Sequence, residues 1–285
     1  MNITIRPGRP EDASACGTIC FEAFTTISRQ HNFPPDIPSP QVATAFLSGF
    51  LSHKGVYSVV AEMDGRVVGS NFMLEFAPIA GIGPISVAPS AQNSSVGRRL
   101  MEDAMERYRQ QRFAGVRLLQ AAFHGRSLAL YTKLGFKVRE PLAVLQGPAM
   151  GIQLPGYTVR RATKADVAAC NRVCLEVHGH DRGLELVDAI DQGTARLVER
   201  GGRTTGYATG IGFFSHAVAE TNGDLQALIA AAREITGPGL ILPTRNSDLF
   251  RWCLEKGLRV MQPMTLMSHG LYNEPSGAFM PSILY

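Results

Sequence analysis

The sequence has one Trp in 285 residues, five Cys, and no run of five like charges. Each scarcity closes off a class of protein. Five cysteines without a C-x-x-C pair build no disulfide framework, so free thiols in a reducing compartment are the simplest account and no metal site is expected. Lys and Arg number 28 against 24 Asp and Glu, and the net +4 is spread along the chain, which gives nucleic-acid binding no support. Long apolar runs are missing too. The longest uncharged stretch, Phe76 to Gly97, is broken by Pro78, Pro84, Pro89, Gly81 and Gly83 and cannot be a membrane helix. The opening Met1-Asn2-Ile3-Thr4-Ile5-Arg6 lacks the apolar core of a leader peptide, so the expectation is a soluble cytoplasmic protein.

What is present is an ordinary globular balance, 45% hydrophobic and 18% charged, in a length that fits one large domain or two small ones. An internal repeat chooses two. Ile5-Arg6 through Asp12, Cys16 and Cys20 recurs as Val159-Arg160 through Asp166, Cys170 and Cys174, an offset of 154. The turn Asp64-Gly65-Arg66 to Gly69 matches Gly201-Gly202-Arg203 to Gly206 at about 137, and Leu134–Val138 with Pro141 matches Lys256–Val260 with Pro263 at 122. The expected division is 1–146, a turn-rich linker 147–156, and 157–285.

In the first copy the pattern predicts a strand at Ile3–Arg6, a helix from Pro10, a helix near Gln41–Ser52, and a hairpin of Val56–Met63 with Arg66–Phe76. Gly83–Ala88 reads as a strand, Val96–Arg112 as a helix, Val116–Ala122 as a buried strand, Ser127–Leu134 as a short helix, and Lys137–Leu145 as a final strand or pair of strands. The segment from Ile85 to Leu100 therefore joins a strand to a helix through small polar residues. A helix start reached by such a loop offers free backbone N–H groups to an anion, and Arg98 and Arg99 add positive charge.

Together with Ala129-Leu130-Tyr131-Thr132-Lys133-Leu134-Gly135-Phe136, this order resembles the GNAT superfamily of acyl-coenzyme A-dependent N-acyltransferases. Its loop pattern Q/R-x-x-G-x-G/A is met by Gln92 and Gly97, with Ser95 in place of the first glycine, and His124 stands where asparagine is common downstream. The resemblance implies an α/β (α+β) fold of two tandem GNAT-like domains, each a mixed, mostly antiparallel sheet flanked by helices. It implies acetyl-CoA as co-substrate, its pyrophosphate on the backbone of Ser95, Val96, Gly97, Arg98 and Arg99, and its pantetheine arm on the main chain of Ile85 and Val87. Tyr131 holds the family's proton-donor position. A base is not assigned: the strand position used by some members is Gly81, and Glu75, His124 and His31 are the substitutes, with relay through water an equal alternative.

The second copy is shortened where the phosphate loop should lie. Tyr207–Ser215 reads as a strand leading soon into a helix Leu225–Ile235, with Cys253 in the register of Tyr131. A degenerate domain is expected, kept for architecture or for the acceptor. His178-Gly179-His180-Asp181-Arg182 reads as a polar surface turn, the cysteine pairs as buried core, and the apolar Leu271–Tyr285 tail as packing over the cleft. The resulting function is N-acetyl transfer to a small-molecule or peptide amine, with a longer acyl donor also open. The alternative is a non-catalytic acyl-CoA sensor. No nucleic-acid or membrane partner is expected, and a homodimer is left open.

Overall fold

The structure, a computed structural model, describes residues 3–76 and 78–285. Met1, Asn2 and Ala77 lie outside the described residues, so the first two positions of the leader reading and one of the uncharged stretch are not assessed. In the first half β1 (Ile3–Pro7) leads to α1 (Ala13–Gln30) and α2 (Pro40–Ser52), then to β2 (Val56–Met63), β3 (Arg66–Leu74), β4 (Ile79–Ile82) and β5 (Ser86–Val87). After the loop come α3 (Val96–Gln110), β6 (Gly115–Ala121), α4 (Gly125–Lys133) and β7 (Lys137–Gln146). The second half repeats the order with β8 (Thr158–Arg161), α5 (Val167–His178), α6 (Gly183–Asp191), β9 (Arg196–Arg200), β10 (Arg203–Ala208) and β11 (Ala217–Ala219). It continues through α7 (Asn222–Ala231), β12 (Leu240–Pro243), α8 (Ser247–Glu255), β13 (Arg259–Gly270) and β14 (Ala278–Met280).

The repeat read from the sequence is built into the ion pairs. Arg6 grips Asp12 through both terminal nitrogens (2.8 Å each) and Glu62 through Nε (2.7 Å). Arg160 does the same to Asp166 (2.8 and 3.0 Å) and Glu199 (3.1 Å), each partner displaced by the offsets of 154 and 137. The arginine, first through its hydrogen bond, holds both aspartates below the usual carboxylate range. A carboxyl group depressed in the folded state stabilises above its unfolded value of about 4 and loses that contribution as pH falls through the folded value. Urea midpoints are therefore expected to drop on acidification below about pH 4, and Arg160→Ala should flatten part of that drop. An unaltered acid slope in the variant would remove the pair from the account.

The two halves exchange strands. One sheet runs β1-β2-β3-β4-β6-β13-β7-β12, with β5 on β3; the other runs β14-β11-β10-β9-β8. All pairings are antiparallel except β4 with β6. Shifting β7 by 122 residues lands on β13, and these two equivalent strands pair about a local two-fold: Lys137 faces Ser268 and Gln146 faces Arg259. Each residue and its repeat thus trade partners, the signature of a symmetric interface inside one chain. The expected linker 147–156 carries no helix or strand, yet the sheets do not part there, because β12 and β13 cross back to the first half.

Three expectations change. Gly83–Ala88 is not one strand: β4 ends at Ile82, and β5 keeps the pairing with β3 that β4 began but not the one with β6. The strand expected at Tyr207–Ser215 ends at Ala208, where Thr209 N–H donates to the His216 carbonyl (2.8 Å) and the chain reverses. The helix of copy two stops at Ala231 because Ala232 is extended. The five cysteines are all buried, as expected.

Candidate active site

β4 and β6 run parallel for three pairs, Ile79 with Gly115, Ala80 with Val116 and Gly81 with Arg117, and then diverge. The wedge between them opens into a cavity of about 420 Å³. One side is Ile82 to Val87, the other Leu118 to Ala121, and the floor at the wide end is the loop from Gln92 to Arg98. Ala88 N–H donates to Val68, which makes Ser86 with Ser70 the next bonded pair and turns the main-chain N–H and C=O of Val87 away from β3.

The loop ends in a left-handed residue. Ser95 has φ +69°, a conformation glycine adopts freely and a Cβ disfavours by about 1–2 kcal/mol, so the glycine of the family pattern has a backbone reason. Ser95 caps α3 with its backbone only. Its carbonyl takes the first helical bond, from Arg99 N–H (3.0 Å), leaving the N–H groups of Val96, Gly97 and Arg98 without a helical partner. Three donors and the positive end of a helix dipole face the cavity floor, an arrangement suited to a pyrophosphate. Ser95→Gly is expected to raise Tm, by the equivalent of about 1 kcal/mol at most, once glycine's added chain entropy offsets part of the relieved strain; a lower Tm would contradict the strain assigned here.

The charged residues divide. Arg98 lines the cavity and pairs with Glu102 (2.7 Å). The Arg99 side chain turns away, donating to the Ile3 carbonyl (2.6 Å), and does not line the cavity, which corrects its expected place beside the anion. Arg126, which the sequence reading passed over, takes that place: it lines the cavity and holds Gln92 Oε1 (3.0 Å) and Asn93 Oδ1 (3.4 Å). Gln92 in turn donates to the Val87 carbonyl (3.4 Å), so the loop glutamine ties the loop to the strand.

Tyr131, on α4, lines the same cavity and is 6% exposed, and burial alone pushes its phenol pKa upward. The hydroxyl therefore keeps its proton throughout the neutral range. His124 also lines the cavity, but burial first, then Arg126 and His31, lowers it to about 4, which makes a poor proton acceptor at neutral pH. Glu75 is not brought to the cavity at all: Arg107 holds it bidentately (2.6 and 2.8 Å), a structural ion pair that removes it as the base. His31 likewise stays outside, its Nδ1 3.0 Å from the Ile27 carbonyl. A further group was missed. Gln120 Oε1 accepts from Ser127 (2.9 Å), leaving Nε2 buried in the cavity wall with no hydrogen-bond partner.

Copy two supplies the far wall through Phe213, Phe214, Met264, Ile283 and Leu284. Its own wedge is closed. The counterparts of β4 and β6 are β11 and β12, and β14 lies in the gap, pairing Ala217 with Met280 and Ala219 with Ala278 and packing with Leu240 and Leu242. The tail beyond β14 reaches Gly81, where an added Cβ would run into the Leu284 carbonyl; this close approach is why β4 carries glycine there. The stretch at His178–Arg182 is not a surface turn. His178 and His180 are buried, His178 Nε2 sits 3.2 Å from His216 Nε2, and the Tyr285 hydroxyl meets His180 Nε2. Burial lowers all three imidazoles, and among the described residues no group of three metal-ligating side chains occurs.

The acetyltransferase (GNAT) domain model matches residues 54–138, the span containing β2 to α4 and the loop. Those residues belong to the GNAT domain family. The whole chain shares its fold with a candidate acetyltransferase from Pyrococcus horikoshii (18% identity, TM-score 0.72), the likeness covering 97% of this chain and 94% of that one. A GCN5-related N-acetyltransferase from Sphaerobacter thermophilus is similar over 95% of this chain and 96% of its own (16% identity, TM-score 0.62). No curated protein matches the sequence. The GNAT domain match over residues 54–138 supports acyl transfer from coenzyme A as the general activity. Among the described residues no helix is long and apolar enough to cross a membrane.

Proposed function

We propose that the first half is an N-acetyltransferase that passes an acetyl group from acetyl-CoA to an amine by direct attack. The observation that carries this reading is one cavity that contains an open strand edge, an uncapped helix start and a buried tyrosine. The pyrophosphate would rest on the N–H groups of Val96, Gly97 and Arg98, with Arg98 and Arg126 beside it, and the pantetheine arm on the main chain of Ile85 and Val87. Gln120 Nε2 supplies a donor for a carbonyl on the β6 side. The amine lone pair attacks the thioester carbon, backbone N–H groups of the splayed strand take the charge growing on oxygen, the departing thiolate receives the proton of Tyr131, and the proton shed by the attacking nitrogen passes through water to restore the Tyr131 hydroxyl. Glu75 has no part, and at about 4 His124 is too acidic to serve as base near neutrality. Copy two closes the acceptor side and binds no acyl-CoA of its own, because β14 fills its wedge.

Thiol release from acetyl-CoA across a panel of amines tests this directly. Release with at least one amine is expected. Binding of acetyl-CoA with no release from any amine would favour the sensor reading, for which Ser95 and the missing carboxylate at Gly81 speak.

A further inference from the structure

The cavity carries positive charge at its loop and a single negative group elsewhere. Asp36, in the connection between α1 and α2, is the one carboxylate among the residues that line it. No arginine or lysine pairs with it among the described residues. Its protein partner comes from the other half: Gln262 of β13 donates from Nε2 to Asp36 Oδ1 (2.6 Å). Gln262 is 1% exposed, and its Oε1 is buried with no partner. Burial raises the Asp36 pKa to about 6, against the opposing pull of the Gln262 bond, so at neutral pH the group is ionised in most molecules. The cavity that Asp36 lines is also walled by Phe24, Ile37, Phe46, Phe123, Phe213 and Phe214, an apolar and mainly aromatic set. A half-buried carboxylate in the cavity wall whose one protein donor is a neutral amide is an acceptor lacking a cationic partner.

We propose that Asp36, held in place by Gln262, recognises the acceptor, a primary amine that enters in its ammonium form on one apolar or aromatic body and gives up one proton to water before its lone pair attacks. This rests on the acetyltransferase reading of the same cavity. An ammonium has three N–H donors, enough to serve both oxygens of the Asp36 carboxylate, while Gln262, which does not line the cavity, holds that carboxylate from the protein side. One carboxylate matches one positive centre, which selects against polyamines, whose further charges would lie on phenylalanine walls without counter-ions. The two groups come from different halves of the chain, so the acceptor site exists only in the joined molecule, which gives the second copy a chemical task beyond closing the cleft.

Calorimetric titration of the full chain separates the two claims. Acetyl-CoA is titrated first, then, in its presence replaced by coenzyme A, a series of primary amines from butylamine and hexylamine to 2-phenylethylamine, each beside the carboxylate of similar shape, such as 3-phenylpropionate. At least one amine should saturate, with its carboxylate counterpart binding about tenfold more weakly or worse. Asp36→Asn should weaken amine binding about 10- to 100-fold and Gln262→Met about 3- to 10-fold, both keeping acetyl-CoA affinity and Tm near the parent values. If acetyl-CoA binds but no amine does, or if both variants bind amine as the parent does, the acceptor assignment falls and the acetyltransferase reading stands. Failure of acetyl-CoA to bind overturns the reading beneath it.

Discussion

Removing residues 278–285 is expected to lower Tm by about 10 °C or more and to leave much of the second half unfolded. Ala278, Phe279 and Met280 are buried and form the strand that completes the second sheet against β11. Each large buried side chain contributes about 1.5–3 kcal/mol, and Phe279, Met280 and Tyr285 together approach the lower end of the roughly 5–15 kcal/mol that holds a domain. The deletion also strips polar groups of their partners. Arg182 donates to the Tyr285 carbonyl (2.7 Å), His180 meets the Tyr285 hydroxyl, and the Tyr285 ring lies between the guanidiniums of Arg117 and Arg182 at 4.6 and 4.2 Å. Arg117 is 4% exposed, and the deletion strips the Tyr285 ring from its guanidinium, leaving only Tyr272 at 5.0 Å. Thermal unfolding followed by circular dichroism checks this, and a Tm within about 2 °C of the parent would show the tail to be an accessory.

Tyr131→Phe is expected to reduce kcat for thiol release by about 10²–10⁴-fold while acetyl-CoA affinity is preserved. The ring stays, so packing against Phe136 and its neighbours is kept, and only the proton is lost. Because burial raises the tyrosine's pKa, the donor form is present at every working pH, and no alkaline limb below about pH 10 should come from this residue. Steady-state rates across pH decide the matter: a kcat equal to the parent's throughout would take Tyr131 out of the mechanism.

Much of the frame was legible because it is local or repeated. The Arg6–Asp12 and Arg160–Asp166 pairs lie six residues apart in each copy, and their recurrence announced two related units before any fold was known. The phosphate loop was legible because a strand, a run of small residues and a helix lie consecutively in the chain. What sequence did not disclose is long-range. Nothing in the pattern of β13 says that it pairs with β6 and β7 of the other copy, since an antiparallel ladder satisfies the same backbone groups with either partner. The three residues of β14 are too few to carry a period. Glu75 drew notice as a carboxylate near the right strand, but Arg107, 32 residues away, had already claimed it. Asp36 lay hidden in a proline-rich connection, and its partner Gln262 is 226 residues distant. The surface turn expected at His178 failed for a similar reason, since its cover comes from Phe279 and Tyr285 at the far end of the chain.

The central claim is an asymmetry: two copies of one fold, with an acyl-CoA wedge open in the first and filled by β14 in the second. Isothermal titration of the intact chain with acetyl-CoA measures it as a stoichiometry. The account predicts one acetyl-CoA bound per chain; two per chain, or none, would contradict it.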